Sequence, residues 1–177
     1  MSPRRTPARW PSVAPSSEPG LRLLTAADWP LEQALSRDPL VVAGTSAAPD
    51  LTEEEARARV DRLLARRAAG TGDRWVVVAN GLDVGVVGVR LEDEGWELGW
   101  ALLPAGRGRG VGRALVGTCL DRARTAGMTE VVLSSLPEMT TAHRLYRSLG
   151  FTRSPELDFS AGPLVHLWGF RRLVDVG

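Results

Sequence analysis

Apolar positions in this chain recur with two periods, and the switches between them mark out the elements. Leu21 to Leu24 is a short apolar run that reads as a strand. Thr25 to Asp28 reads as a helix entry with Asp28 near the cap. A helix follows from Trp29 to about Ser36, with Pro30 tolerated in its first turn. Asp38-Pro39-Leu40 through Pro49 carries turn and loop chemistry. Thr52-Glu53-Glu54-Glu55 is a capping box, and Ala56, Val60, Leu63 and Leu64 then recur at helical spacing until Gly70 ends the helix. Arg57, Arg59, Arg62, Arg66 and Arg67 flank that stripe and read as a solvated face.

Three strand patterns come next. Arg74 to Ala79 is β-branched and apolar, Asn80-Gly81 is a strong hairpin signal, and Val84 to Leu91 is the return strand. A polar turn leads into Trp96 through Leu103. There Trp96, Leu98, Trp100 and Leu102 alternate with Glu97, Gly99, Ala101 and Leu103, so one face is bulky and the other small apart from its glutamate. The pattern predicts a three-stranded antiparallel meander. A helix from Val111 to about Ala126 buries Val111, Leu115, Cys119 and Ala123 along one stripe, which makes Cys119 a small core residue rather than a nucleophile. Thr129 to Ser135 is a further strand. Strand, crossover helix and strand make a βαβ unit, so the strands before and after that helix should run parallel. A helix from Met139 to Gly150, a short strand from Phe151 and a last strand from Leu164 to Leu173 complete a mixed α/β sheet.

Composition narrows the class. With 177 residues and 44% hydrophobic, residues 20–177 suffice for a single domain with a real core. The first nineteen residues carry proline at every fourth position from Pro3 to Pro19 and read as a disordered, polyproline-like tail. The net charge of +1 makes no electrostatic case for nucleic acid. Every basic side chain is arginine apart from two histidines, which codon bias explains as well as function does. One cysteine leaves no intramolecular disulfide and no cysteine-rich metal site, and it suits a reducing compartment. No apolar run has the ~18–20 residues of a membrane helix, and no apolar segment follows the basic N-terminus as in a secretory signal. A soluble cytoplasmic protein is the default expectation, and no metal is expected.

The candidate chemistry centres on Pro104 to Ala114, P-A-G-R-G-R-G-V-G-R-A, between a strand and a helix. Strand, glycine turn and helix start aim backbone N–H groups and the positive end of a helix dipole at one point, which suits a phosphate. The glycines at 106, 108, 110 and 112 remove obstructing Cβ atoms and permit positive φ, and Arg107, Arg109 and Arg113 add charge nearby. A Walker loop would need Lys-Ser/Thr where Arg113-Ala114 stands, and the dinucleotide pattern G-x-G-x-x-G fails at Arg113.

Two segments together carry a family resemblance. R-G-R-G-V-G at 107–112 fits R/Q-x-x-G-x-G, and Ala142-His143-Arg144-Leu145-Tyr146-Arg147-Ser148-Leu149-Gly150-Phe151 fits A-x-x-L-Y-x-x-x-G-F. In this order, and on these elements, the chain resembles the GNAT superfamily of acyl-CoA-dependent N-acyltransferases from about Gly20 onward. The resemblance implies a mostly antiparallel sheet splayed between two parallel strands and flanked by about four helices. It implies acetyl-CoA as co-substrate, with the pyrophosphate on the amides of Arg107, Gly108, Arg109, Gly110, Val111, Gly112 and Arg113, and the pantetheine arm along the strand ending at Leu102 and Leu103. Tyr146 matches the tyrosine that protonates the departing thiolate in many members. A base must also take a proton from the amine: Glu97 is the first candidate, Glu138 the second, and His143, three residues before Tyr146, could relay a proton or simply pack. His166 reads as structural. Met139 departs from the family, many of whose members have asparagine there, and this puts acceptor-side contacts in question. The expected reaction is acetyl transfer to a primary amine of a small molecule. The alternatives are acetylation of a protein or peptide N-terminus, suggested by a front half similar to ribosomal-protein acetyltransferases, and a non-catalytic acyl-CoA-binding module. A homodimer is compatible with all three.

Overall fold

The computed structural model describes residues 20–45, 48–92, 95–108, 110–125, 127–160 and 165–174. The proline-rich segment 1–19 and Arg109 therefore lie outside the described residues. The strands are β1 (Gly20–Leu23), β2 (Gly72–Ala79), β3 (Leu82–Glu92), β4 (Gly95–Leu102), β5 (Glu130–Ser135), β6 (Thr152–Arg153), β7 (Phe159–Ser160) and β8 (His166–Leu173). The α-helices are α1 (Trp29–Arg37), α2 (Pro39–Gly44), α3 (Glu53–Ala69), α4 (Val111–Thr125) and α5 (Thr140–Ser148). The sheet runs in the order β1-β2-β3-β4-β5-β8-β6, with β7 alongside β8, and only β4 and β5 are parallel.

Alternation along the strands sorts the core into two clusters, one on each face of the sheet. Trp75, Val87, Leu98, Leu133 and Phe170 point toward α4 and α5, where Leu115, Val116, Cys119 and Tyr146 meet them. Val76, Val86 and Ala101 point the other way, toward Leu31 and Leu35 of α1, Val41 of α2 and Val60 of α3. The result is a sheet between two helical layers, as expected.

The helix α2 replaces an expected loop. The Asp38 carboxylate accepts hydrogen bonds from the amides of Leu40 and Val41 at 3.1 and 3.0 Å, and Pro39 occupies the first turn. Asp-Pro reads as a turn, but it is also a helix start, because Asp supplies the cap and proline has no N–H to leave unpaired. The α3 capping box forms as its sequence predicts: Thr52 Oγ1 accepts from the Glu55 amide at 3.2 Å, and Glu55 accepts from the Thr52 amide at 2.8 Å.

The arginines of α3 do not form a purely solvated face. Arg59 Nε reaches Glu32 of α1 at 2.9 Å, and Glu32 is 2% exposed. Arg67 pairs with Asp73 and donates to the carbonyls of Leu24 and Arg74. These contacts pin α3 to α1 and to the start of β2. Periodicity could not reveal them, because each partner comes from another element.

Candidate active site

The sheet parts where β4 and β5 should continue side by side. They pair only at Glu97 with Val132 and Leu98 with Leu133. Beyond that point β4 stays on β3 as far as Leu102, while β5 stays on β8 through Ser135. A cleft of about 570 Å³ includes this opening and is bordered by Gly99, Trp100, Ser134, Ser135 and Tyr146.

Tyr146 reaches the opening from the α4/α5 face. It is 5% exposed, stands edge-on to Trp100 at a centroid distance of 5.4 Å, and packs on Phe151 and Phe170. Burial pushes its phenol up to about 12, against the pull of a hydrogen bond from Ser135. The hydroxyl is therefore neutral and a donor at any ordinary pH.

Glu97, on the paired rung beside the opening, borders the same cleft from the opposite face. Arg90 Nη2 donates to its Oε2 at 2.5 Å, and Ser134 Oγ donates to its Oε1 at 3.1 Å. Adjacent residues of β5, Ser134 and Ser135, thus serve Glu97 on one face and Tyr146 on the other. An acid and a carboxylate on opposite faces of a closed sheet would be separated by its backbone; the parting of β4 from β5 gives both access to one space.

The other base candidates lie elsewhere. Glu138 is exposed, ahead of α5, and does not border the cleft. His143 is 3% exposed, stacked on Trp168 at 5.5 Å and beside Phe170 at 4.9 Å, and burial holds its imidazole below the usual histidine value. Its Nε2 has no hydrogen-bond partner among the described residues, and it packs as a neutral aromatic ring. His166 is mostly exposed, 3.8 Å from Asp158, and does not border the cleft. Met139 borders the cleft, with its sulfur against Gly44 of α2.

The glycine loop leaves β4 through Leu102 and Leu103, whose side chains join opposite clusters of the core. Its four glycines divide into two pairs. Gly108 and Gly110 have φ of 70° and 75°, and a Cβ on either would meet nothing within 4 Å, so the space above them is open. Gly106 and Gly112 serve packing instead: a Cβ would lie 3.0 Å from Val84 and 3.4 Å from Leu145. The Ala114 amide closes the first turn of α4 onto Gly110 O at 3.1 Å, and the amides of Val111, Gly112 and Arg113 ahead of it have no intrahelical carbonyl to bond. Arg107 turns its guanidinium to Asp38 at 2.5 Å, and Arg113 reaches Ser148 Oγ at 2.7 Å. Backbone donors over open space fit an anionic diphosphate; the Arg107 side chain holds the loop against the cap of α2.

Cys119 is 2% exposed, with its thiol pushed up to about 12 by burial, as suits a core residue. Among the described residues no group of three metal-ligating side chains occurs, and no helix is long and apolar enough to cross a membrane. Sequence reading missed Arg90, Ser134, Ser135 and Asp38. Only Ser135 left a trace: it shares the parity of Val131 and Leu133, so a hydroxyl interrupts the apolar face of β5.

Residues 20–152 match the acetyltransferase (GNAT) domain family, and the chain belongs to it. Members of this family are acyltransferases that depend on acetyl-CoA. The chain is 41% identical over 70 residues to human (Homo sapiens) N-acetyltransferase 8B, a match covering 40% of this chain and 27% of the relative. It is 32% identical over 96 residues to the aminoglycoside N(6')-acetyltransferase type 1 of Stenotrophomonas maltophilia, covering 49% of this chain and 63% of the relative. It thus spans less than two thirds of either relative. A ribosomal L7/L12 alpha-N-protein acetyltransferase solved with coenzyme A has the same fold, with a TM-score of 0.78 at 17% identity over 92% of this chain and 98% of that one.

Proposed function

We propose that this protein transfers the acetyl group of acetyl-CoA to the primary amine of a small molecule, with Tyr146 as acid and Glu97 as the group that receives the amine proton. One observation carries this reading: Tyr146 and Glu97, from opposite faces, border the one cleft that includes the opening between β4 and β5. The amides of Gly108 to Arg113 would hold the diphosphate, and the edge of β4 toward Leu102 and Leu103 would hold the arm. Bound there, acetyl-CoA supplies an activated acyl carbon attached to a thiol leaving group. A nitrogen–carbon bond forms, the carbon–sulfur bond breaks, and one proton must leave the nitrogen.

Complete proton transfer from a phenol at about 12 to a thiolate whose conjugate acid lies near ~8.5 is uphill. Tyr146 therefore acts chiefly by donating a hydrogen bond to sulfur as charge develops there. Glu97, held between Arg90 and Ser134, has a fixed position from which to accept the amine proton, directly or through water. Thiol release from acetyl-CoA against a panel of amines tests the assignment. Tyr146→Phe should lower kcat by roughly 10²–10³-fold with coenzyme A affinity unchanged, the usual cost of one transition-state donor. An unaltered kcat removes Tyr146 from the chemistry, and coenzyme A binding without turnover on any amine favours the binding-module alternative.

A further inference from the structure

The cleft has two ends. One opens between β4 and β5, short of the glycine loop, which follows the C-terminal end of β4 and contributes none of the lining. The other lies at the start of β4, where the row Gly72, Arg90 and Glu97 crosses three strands in register. One step along, Arg74, Gly88 and Gly99 form the neighbouring row on the same face. The two glycines stand opposite each other, and β4 is bare there: a Cβ on Gly99 would meet nothing within 4 Å, while the Arg74 side chain lies 3.7 Å from where a Cβ on Gly88 would stand. Between the helices and this bare floor there is room for a substrate to lie across the strands.

Among the described residues the charge at this end is not balanced. Glu32, Asp73 and Glu97 border the cleft, and each already has an arginine: Glu32 is clamped by Arg59 and Arg74, Asp73 by Arg67, and Glu97 by Arg90. Arg66 also borders the cleft, with its Cβ 3.9 Å from where a Cβ on Gly72 would stand. It is exposed and has no ion pair among the described residues. Among the described residues no carboxylate of the cleft is left for a second cation, and the Arg66 guanidinium is left for an anion.

Resting on the acetyltransferase reading above, we infer that the acceptor is an amine carrying an anionic group, carboxylate or phosphate, which Arg66 receives. Neighbouring strands lie ~4.8 Å apart, so a nitrogen over β4 and an anion over β2 are separated by roughly 10 Å. A guanidinium suits either anion because its paired N–H groups match their oxygens. A second ammonium in place of the anion would face Arg66 across the bare floor.

Terminal-amine probes of graded length test this: aminobutanoate, aminohexanoate and aminooctanoate, with octylamine and diaminooctane, whose far ends are uncharged and cationic. Aminooctanoate should exceed diaminooctane in kcat/KM by at least about tenfold, the size of one charge-assisted contact. Arg66→Gln should bring the two within about twofold of each other, and Arg66→Glu should invert the order. Aminohexyl phosphate against aminohexanoate then shows which anion is preferred, either preference over the diamine supporting the inference. Gly99→Val, which fills the floor, should raise KM for every amine without altering coenzyme A affinity. Diaminooctane matching aminooctanoate in the wild type, or a preference that survives Arg66→Gln, overturns the inference. Should no amine be acetylated, the transferase reading fails by itself. Calorimetry of the same probes on the coenzyme A complex then still decides the anion: a carboxylate preference lost in Arg66→Gln supports it, and its absence overturns it.

Discussion

At Tyr146, burial acts on acidity and on reactivity in opposite directions. The pocket of Trp100, Phe151 and Phe170 raises the phenol to about 12 and so weakens it as an acid, yet it keeps the proton in place over the whole range in which an amine becomes nucleophilic. The pH profile of kcat/KM should therefore rise as the amine loses its proton. It should show no falling limb from Tyr146 below about pH 11. A fall near pH 9–10 that disappears in Tyr146→Phe would contradict the burial argument. Cys119 obeys the same physics, so its thiol should react with iodoacetamide only as fast as the protein unfolds. Tyr146 could be read from its motif and Glu97 from its position on a small-residue face. Their partners Ser135, Ser134 and Arg90 could not, because each approaches from a neighbouring strand whose register only the folded chain sets.

Helix α4 shows how one residue type serves opposite ends within an element. Gly110, at its mouth with φ of 75°, is held in a left-handed conformation that costs a side-chain residue roughly 1–2 kcal/mol. Gly110→Ala should lose that much stability in urea titration and also weaken coenzyme A binding by calorimetry. Gly117, within the same helix, has no positive φ, and nothing lies within 4 Å of a Cβ placed there. Gly117→Ala should therefore raise stability by about 0.5–1 kcal/mol, seen as a higher urea midpoint. Most elements were legible because their apolar period is long enough to exceed chance, as in α3 and β4. The six-residue α2 and the two-residue β7 are too short to express a period, and α2 owes its existence to one cap and one proline.

At the scale of the molecule, Arg107 and Asp38 join the glycine loop to the helical layer of α1, α2 and α3. The guanidinium holds the Asp38 carboxyl below its ordinary value of 3.8, with two α2 amides acting in the same direction. A carboxyl with a depressed folded value stabilises fully above its unfolded value and loses that contribution as pH falls through the folded one. The stability advantage of wild type over Asp38→Asn should thus be complete above about pH 5 and shrink progressively below about pH 4. Urea midpoints measured across that range check it. The overall architecture was legible from the order of elements; the charge network of Glu32, Arg59, Arg67 and Arg74 was not, since it exists only once α1, α3 and β2 are stacked.

The two-rung join between β4 and β5 makes the sheet two leaves on a short spine: β1 to β4 on one side, β5 with β8, β6 and β7 on the other. Backbone continuity across that spine is thin, while each leaf is laced along its full length. Hydrogen exchange should register this as amides of β5 releasing their protons well before those shared by β2 and β3. A guest laid along the spine should slow them, stiffening the molecule where its own chain leaves the binding unfinished.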